Sequence, residues 1–360
     1  MSVKINAKEE PLSEIFSRDY SFTIPLYQRP YAWTTVQAGE LFADLMSFLG
    51  DNDKEIDEIT PYFLGSIVLI KKDYSPESEI VDGQQRITTL TILLSVMRTV
   101  ITGTMAIGVT KYLYEEGDEI IYRPNQYRLK LRRDEVFFRD KIQHEGGLNS
   151  LFSLDKSQLS FSEKNIQANA DWFKRALEKI SEEHRIRLLR YLMNRCYLVV
   201  VSTPDLDSAF RIFSVLNARG LELGLTDLLK PEIIGTIPES SQEKYTRIWE
   251  SEEESLGRDA FQDLFSHIRM IFRKSKLRET ALNEFKNYIL LPNKIKDSIS
   301  FIDNIVKPYS KALEIVKTAK YRSDKESEGI NSAFRWLNQI DNFDWVPPSN
   351  CLFIQKFAFT

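Results

Sequence analysis

The stretch IVDGQQRITTL (residues 80–90) joins two apolar segments through one acid, one glycine, two glutamines and one arginine. The short apolar run before Asp82 predicts a strand. From Gln85 to Ile101 the residues have helical spacing and are apolar nearly all round, which predicts a helix buried in a core. Gly83 suits the turn between them. The stretch therefore predicts a buried strand, a tight turn and the N-terminus of a buried helix.

A turn of this kind is suited to binding an anion, because the first N–H groups of a helix lack partners within it and the helix dipole adds positive charge. Gly83 permits close approach of a phosphate, and Arg86 can hold phosphate oxygens with two hydrogen bonds. The hydroxyls of Thr88 and Thr89 follow one turn later. A simpler interpretation stays open, in which Asp82 only caps a core helix and Arg86 pairs with an acid elsewhere. The spacing differs from that of a Walker A loop, which ends in Lys-Ser or Lys-Thr.

The composition is typical of a globular protein. The 360 residues exceed the usual size of one compact core, and the net charge of −4 argues against indiscriminate coating of nucleic acid. Two distant cysteines, Cys196 and Cys351, predict no disulfide framework and fit a reducing compartment. The N-terminus lacks an apolar signal core, and the most apolar stretch (90–101) is too short to span a bilayer. We therefore expect a cytoplasmic protein without membrane contact.

Strand and helix patterns together predict an α/β (α+β) fold. Residues 62–71 and 196–203 are rich in β-branched and aromatic residues, as buried strands are. TTVQAGELFADLMSFL (34–49) has helical spacing, with a threonine at 34 or 35 as the candidate N-cap. From residue 240 onward the pattern is almost entirely helical. The sequence predicts a small mixed sheet and a large, mostly α-helical C-terminal part.

A second cluster, IPLYQRPYAW (24–33), places aromatic side chains beside Gln28 and Arg29. Two prolines keep the segment extended, and rings next to amide and guanidinium groups suit base stacking and the recognition of base edges. The candidate DNA contacts here are Tyr27, Tyr31 and Trp33. An edge strand whose aromatic residues belong to the core explains Trp33 equally well.

Two further segments carry candidate ligand contacts. The window 123–141 has seven Arg or Lys against three Asp or Glu, and its candidate DNA contacts are Arg128, Lys130, Arg132 and Arg133. The third cluster, FSVLNARGLELGLTDLLK (213–230), predicts two helices joined by a turn. A structural helix–turn–helix explains it without any ligand. The residues in it that suit a ligand are Arg219, Asp227 and Lys230.

Taken together, these clusters resemble one family. The motifs IPxYQRxYxW, YFLG, IVDGQQRxTTL and FxxLNxRGxxLxxxDLLK, in this order and spacing, look like the N-terminal domain of GmrSD-type modification-dependent (type IV) restriction enzymes. Related proteins of phosphorothioate-based phage defence carry the same domain. The resemblance runs from about residue 10 to residue 235 and is specific because separate motifs agree. The region 240–360 resembles the family only loosely.

The resemblance implies a ParB/sulfiredoxin-like core that binds and hydrolyses a nucleoside triphosphate (NTP), GTP or ATP with Mg²⁺, when modified phage DNA is sensed. The DGQQR residues form the nucleotide loop of that family, so the implied catalytic residues are Asp82, Gln84, Gln85 and Arg86. The implied nucleotide-binding residues are Gly83, Thr88, Thr89, Gln28, Arg29, Asn217, Arg219 and Lys230. The candidate Mg²⁺ ligands are Asp82 and Asp44.

We expect three segments: a ParB-like nucleotide-binding core (1–110), an extension that completes the family domain (111–235) and a helical domain (236–360). Full-length relatives usually carry a C-terminal HNH nuclease domain. The three histidines, His144, His184 and His267, stand in no His-Asn-His or zinc-ligand arrangement. The cutting activity is then absent, on a separate subunit, or in a C-terminal segment missing from this sequence. Self-association of the chain is a further expectation.

The resemblance predicts an NTP-hydrolysing sensor module that couples recognition of modified DNA to a nuclease. Two other functions fit the same residues: a DNA-binding module without enzymatic activity, and a ParB-like DNA nickase. Steeply salt-dependent DNA binding without nucleotide hydrolysis is the signature of the first. Nicking of a plasmid by the purified chain is the signature of the second, although the DGQQR loop itself contains no second carboxylate and no histidine.

Overall fold

The chain divides into two compact units, residues 1–219 and 220–360. The computed structural model describes residues 5–26, 28–50, 54–118, 120–132, 134–205, 208–209, 212–213, 225–278, 281–290, 297–323, 326–340 and 344–357.

The described residues of the first unit contain eight strands. They are β1 (Asn6–Pro11), β2 (Ser21–Ile24), β3 (Tyr62–Lys71), β4 (Glu77–Asp82), β5 (Tyr114–Glu115), β6 (Gln126–Tyr127), β7 (Leu129–Leu131) and β8 (Cys196–Thr203). Six of them form one sheet in the order β1–β8–β3–β4–β2–β7, and β5 and β6 form a separate hairpin.

The sheet is mixed, with β3 and β4 at its centre. β3 pairs antiparallel with β4 and parallel with β8, and β2 pairs parallel with both β4 and β7. β1 pairs antiparallel with β8 at one edge. Parallel neighbours need crossover connections, which the helices supply. Strands on both sides of residue 110 thus share one sheet, and Asp82 ends a central strand.

Eight helices have defined bounds within the described residues of the first unit. They are α1 (Leu12–Ile15), α2 (Thr35–Leu49), α3 (Gln84–Val100), α4 (Gly103–Leu113), α5 (Glu135–Phe138), α6 (Gly147–Phe152), α7 (Phe161–Glu178) and α8 (Glu182–Arg195). Two 3₁₀ turns (Ile56–Glu58 and Lys156–Gln158) and a π-helical turn (Arg139–Gln143) lie between them. Thr34 caps α2 in a capping box with Gln37, so the predicted threonine cap is confirmed at position 34.

Helix α3 is buried along most of its length, as its sequence predicts. Every residue from Ile87 to Arg98 is buried. Its hydroxyls avoid unpaired burial by bonding to nearby carbonyls, as Thr91 Oγ1 does in donating to the Ile87 oxygen at 2.8 Å. Packing around the whole helix fixes its N-terminus at the end of β4, where Gly83 is the N-cap.

The second unit is helical in its described residues. Its α-helices are Leu225–Gly235, Glu239–Leu256, Arg258–Arg273, Ala281–Phe285, Ser298–Phe301, Lys307–Thr318, Ser327–Leu337 and Val346–Phe357, with π-helical turns at Lys286–Leu290 and Ile302–Val306. Its core is built on Trp249, whose ring centroid lies 5.4 Å from that of Phe261 and 5.0 Å from that of Phe265. The predicted fold class, a mixed sheet with a helical C-terminal part, is confirmed. None of the described helices has the length and apolar character that crossing a membrane requires.

Candidate functional site

The DGQQR turn requires glycine for two separate reasons. Gly83 has φ +91°, a left-handed conformation that side chains disfavour. A Cβ at this position would also lie 2.4 Å from Cγ2 of Ile67 on β3. The glycine therefore lets β4 turn into α3 while packed against the neighbouring strand. It supplies no capping side chain to the helix.

Asp82 and Arg86 face each other across this turn and are both partly buried. Burial raises the pKa of Asp82, while the hydrogen bond from the Gly83 amide and the charge of Arg86 act in the opposite direction. Burial lowers the pKa of the Arg86 guanidinium, and the charges of Asp82 and Tyr62 oppose that shift. The attraction between the two charges therefore favours the charged form of each group, but desolvation outweighs it in both.

The guanidinium of Arg86 reaches across to β3. Its Nη1 donates to the Ser66 carbonyl at 3.0 Å. A Cβ at Gly65, which has φ +99°, would lie 3.1 Å from Nη2 of Arg86. The sequence predicted no role for Ser66 or Gly65, although the YFLG motif contains Gly65. A glycine inside a strand is the signal that another group approaches the backbone closely.

The first and second sequence clusters meet through a pair of glutamines. Gln84 Nε2 donates to Gln28 Oε1 at 2.9 Å, and Gln28 Nε2 donates to the Val81 carbonyl at 2.8 Å. Gln28 therefore lies over the end of β4, and the two amides form one unit at the start of α3.

Gln85 anchors the backbone of the segment that follows Arg29. Its Oε1 accepts from the amides of Ala32 at 2.8 Å and Trp33 at 3.2 Å, and its Nε2 donates to the Pro30 carbonyl at 3.2 Å. Because the protein itself engages both ends of this amide, Gln85 positions that segment, and its catalytic role stays a prediction.

Tyr31 and Thr89, which were both expected to contact a ligand, are enclosed by the protein. Tyr31 is 4% exposed, and its hydroxyl lies 2.7 Å from Oγ1 of Thr89, which is fully buried. The ring of Tyr31 is therefore unavailable for base stacking, contrary to the expectation, because it belongs to the core. Thr89 Oγ1 donates to the Gln85 carbonyl at 2.8 Å, so this hydroxyl bonds the helix instead of a phosphate. Trp33 is partly buried against the same core.

A narrow cleft opens beside the turn. It is lined by Gln28, Arg29, Gln84, Thr88, Arg132 and Asp134, among others, and has a volume of about 20 Å³. This is room for a water molecule, so a larger ligand would occupy the open mouth. A wider surface pocket of about 600 Å³ adjoins it and shares Arg132 and Asp134 with it. The exposed side chains of Arg29 and Arg132 place positive charge at the mouth.

The basic window divides into buried and exposed members. Arg128 is 7% exposed; its Nη2 lies 3.8 Å from Glu115 Oε2, and its Nε donates to the Lys111 carbonyl at 3.3 Å. It therefore supports the β5–β6 hairpin and presents no charge to DNA, contrary to the expectation. Lys130 and Arg132 are exposed.

The candidate Mg²⁺ ligands are each engaged by the protein. Asp44 Oδ2 accepts a hydrogen bond from the Tyr62 hydroxyl at 2.9 Å. Burial raises the pKa of Tyr62 to about 12, and the hydrogen bond to Asp44 and its charge contribute to the shift. Within the part of the chain that the structure describes, no group of three or more His, Cys, Asp or Glu is arranged to hold a metal. Mg²⁺ at nucleotide sites is bound by one or two carboxylates plus substrate phosphates. Asp82 fits that donor set only together with a bound phosphate, and its role stays a prediction.

The remaining predicted residues lie elsewhere. Tyr27, Arg133, Asn217 and Arg219 are outside the described residues. Lys230 belongs to the second unit, is 5% exposed, and its Nζ lies 2.9 Å from Glu250 Oε1. Asp227, in the same unit, pairs with Arg258 at 2.8 Å. Both side chains thus have partners within their own unit.

Fold and site together define an α/β protein whose cleft lies at a glycine-capped helix N-terminus. The N-terminal domain of GmrSD restriction endonucleases matches residues 12–234, which is more than half of the chain. The chain belongs to this family, and it therefore takes part in a modification-dependent restriction system. No curated protein matches it.

Proposed function

We propose that the chain is an NTP-binding and NTP-hydrolysing sensor module that couples recognition of modified DNA to a nuclease. The observation that carries the proposal is the N-terminus of α3. Gly83 leaves this helix without a side-chain cap, and the first-turn amides have no partners within the helix. Helix α3 begins beside the cleft, and Arg29 and Arg132 lie at the mouth of that cleft. A helix N-terminus next to two cations is suited to binding a polyphosphate.

In this proposal the side chains act by position and charge. Arg29 and Arg132 draw the triphosphate to the cleft, and the amides of α3 bind its oxygens. Arg86 has five N–H donors, so the bond to Ser66 leaves capacity for the charge that develops on the transferred group. Mg²⁺ bound with the nucleotide supplies further charge neutralisation, and Asp82 is the residue proposed to hold it. Gln84, which Gln28 holds by a hydrogen bond, is the residue proposed to orient the attacking water.

The test is hydrolysis of the four NTPs by the purified chain, with and without modified DNA. We expect Asp82→Ala and Arg86→Ala to abolish turnover while the unfolding transition persists. Asp57→Ala, which removes an exposed carboxylate from the turn before β3, is the matched control and is expected to keep full activity. Normal turnover in both loop variants would overturn the proposal.

DNA binding without hydrolysis is the second candidate, favoured by the exposure of Lys130 and Arg132, of which Arg132 lines the cleft. It predicts an association constant for DNA that falls steeply with salt concentration while no NTP is consumed. Salt-dependent binding together with NTP turnover would instead support the sensor module.

A further inference from the structure

The side chain of Asn169, on α7, joins the segment 28–33 to the first turns of α3. Its Nδ2 donates to the Tyr31 hydroxyl at 2.7 Å and to the Trp33 carbonyl at 2.9 Å. The Tyr31 and Thr89 hydroxyl oxygens lie 2.7 Å apart, and Thr89 donates to the Gln85 carbonyl. Asn169 and Thr89 are fully buried and Tyr31 is nearly so. A buried chain of hydrogen bonds therefore connects α7 with the DGQQR helix.

The direction of every bond in this chain is fixed by chemistry. The Trp33 carbonyl can only accept, so the nitrogen of the Asn169 amide must face it. The same nitrogen donates to the Tyr31 oxygen, and the Thr89 hydroxyl donates its hydrogen to the Gln85 carbonyl. The Tyr31 O–H is thus left to donate to Thr89. Only a side chain with two donors at position 169 satisfies both Tyr31 and Trp33.

We propose that Asn169 is a positioning residue for the nucleotide site, an inference that rests on the proposed function. Asn169 holds residues 31 and 33 from one side, while Gln85 holds the backbone of residues 30, 32 and 33 from the other. Together with the Gln28–Gln84 hydrogen bond, these contacts restrain the backbone of residues 28–33 on both sides of Arg29. They therefore keep Arg29 at the cleft. Asn169 thereby sets where the Arg29 cation meets the triphosphate.

The kinetic consequence is specific. Asn169→Ala leaves the Trp33 carbonyl buried without a donor, a loss equivalent to about tenfold in an equilibrium constant. The loosened segment carries Arg29, so KM should rise about tenfold. Asp82 and Arg86 stay in place, so kcat should stay near its wild-type value. Arg29→Ala should raise KM in the same way, and the double variant should show less than the product of the two effects. A merely structural role would lower the active fraction, and so apparent kcat, without changing KM.

The matched control is Asn165→Ala, one turn earlier on α7. The Asn165 Nδ2 is buried and finds no hydrogen-bond partner among the described residues. This variant removes the same amide from the same helix without touching the chain to Tyr31. We expect wild-type KM and kcat from it.

Hydrogen–deuterium exchange tests the positioning without any nucleotide. In Asn169→Ala the backbone amides of residues 28–36 should exchange faster, while those of β3 and β8 keep wild-type rates. If the wild type hydrolyses no NTP but this local acceleration appears, the proposed function fails and the structural support stands. Unchanged exchange at 28–36, or an unchanged KM in an active enzyme, would overturn the inference. Should Asn169→Ala unfold the unit, Asn169→Leu replaces the amide by a branched side chain of similar shape without donors, and a wild-type KM in that folded variant would overturn the inference equally.

Discussion

The guanidinium of Arg86 lies against the backbone of Gly65, so closely that a Cβ at position 65 would come within 3.1 Å of Nη2 and 3.2 Å of Nη1. Gly65 also has φ +99°. The two residues therefore depend on each other, because the arginine crosses β3 only where that strand has no side chain. The YFLG and DGQQR motifs are thus parts of one contact.

Gly65→Ala should lower the free energy of unfolding by about 1–2 kcal/mol from backbone strain alone, and displacement of Arg86 should reduce NTP turnover further. Gly108→Ala is the control, because Gly108 lies within α4 and a Cβ there meets nothing within 4 Å. That change should instead stabilise the protein by about 0.5–1 kcal/mol. Chemical denaturation and NTP hydrolysis measure both effects. Equal stability changes in the two variants would contradict the contact.

Gly83→Ala should be more destabilising than a comparable change at Gly146. Both glycines are helix N-caps with left-handed backbone angles, φ +91° and φ +75°. A Cβ at Gly83 collides with Ile67, whereas one at Gly146 meets nothing within 4 Å. Gly146→Ala should therefore cost only the strain, about 1–2 kcal/mol, and Gly83→Ala that amount plus the overpacking. Urea denaturation of the two variants separates the contributions, and an equal loss would refute the steric account.

Structural features that depend on residues a few positions apart could be predicted from the sequence. The strand at 62–71, the helix beginning after Thr34 and the burial of α3 each follow from residues within one element. Hydrophobic periodicity and capping chemistry act over a few positions, so a sequence shows them directly.

The partners of the loop side chains could not be predicted, because they come from distant parts of the chain. Arg86 bonds a carbonyl on β3, and Gln85 bonds a segment that lies before α2. Residue type shows that an amide or a guanidinium will find a partner, but only the sheet order decides which one. The same reason explains Tyr31 and Arg128, whose side chains suggested contact with DNA but lie buried, Tyr31 in a hydrogen bond and Arg128 in an ion pair.

Exposed and buried members of the basic window should respond differently in DNA binding. Lys130→Ala and Arg132→Ala should weaken DNA binding, and each should reduce the slope of log affinity on log salt by about 1. Arg128→Ala should leave that slope unchanged but lower the melting temperature, since it removes one of the two arginines paired with Glu115 and the hydrogen bond to the Lys111 carbonyl. Titrations at several salt concentrations, with thermal unfolding alongside, measure both properties. A slope reduced only by Arg128→Ala would reverse the assignment.

Asp82→Asn should stabilise the first unit at neutral pH while abolishing NTP turnover. Burial raises the pKa of Asp82 in the folded protein above its ordinary value, so the folded state binds the proton more tightly than the unfolded state does. Stability from this group is then present at low pH and is lost as pH rises from the ordinary carboxyl pKa to the raised one. The neutral amide removes that loss, and the gain should vanish at a pH below the ordinary carboxyl pKa. Denaturation of wild type and variant across this range measures it, with Asp57→Asn as the control for net charge. A variant less stable than wild type at neutral pH would show that the Arg86 charge and the Gly83 amide outweigh burial.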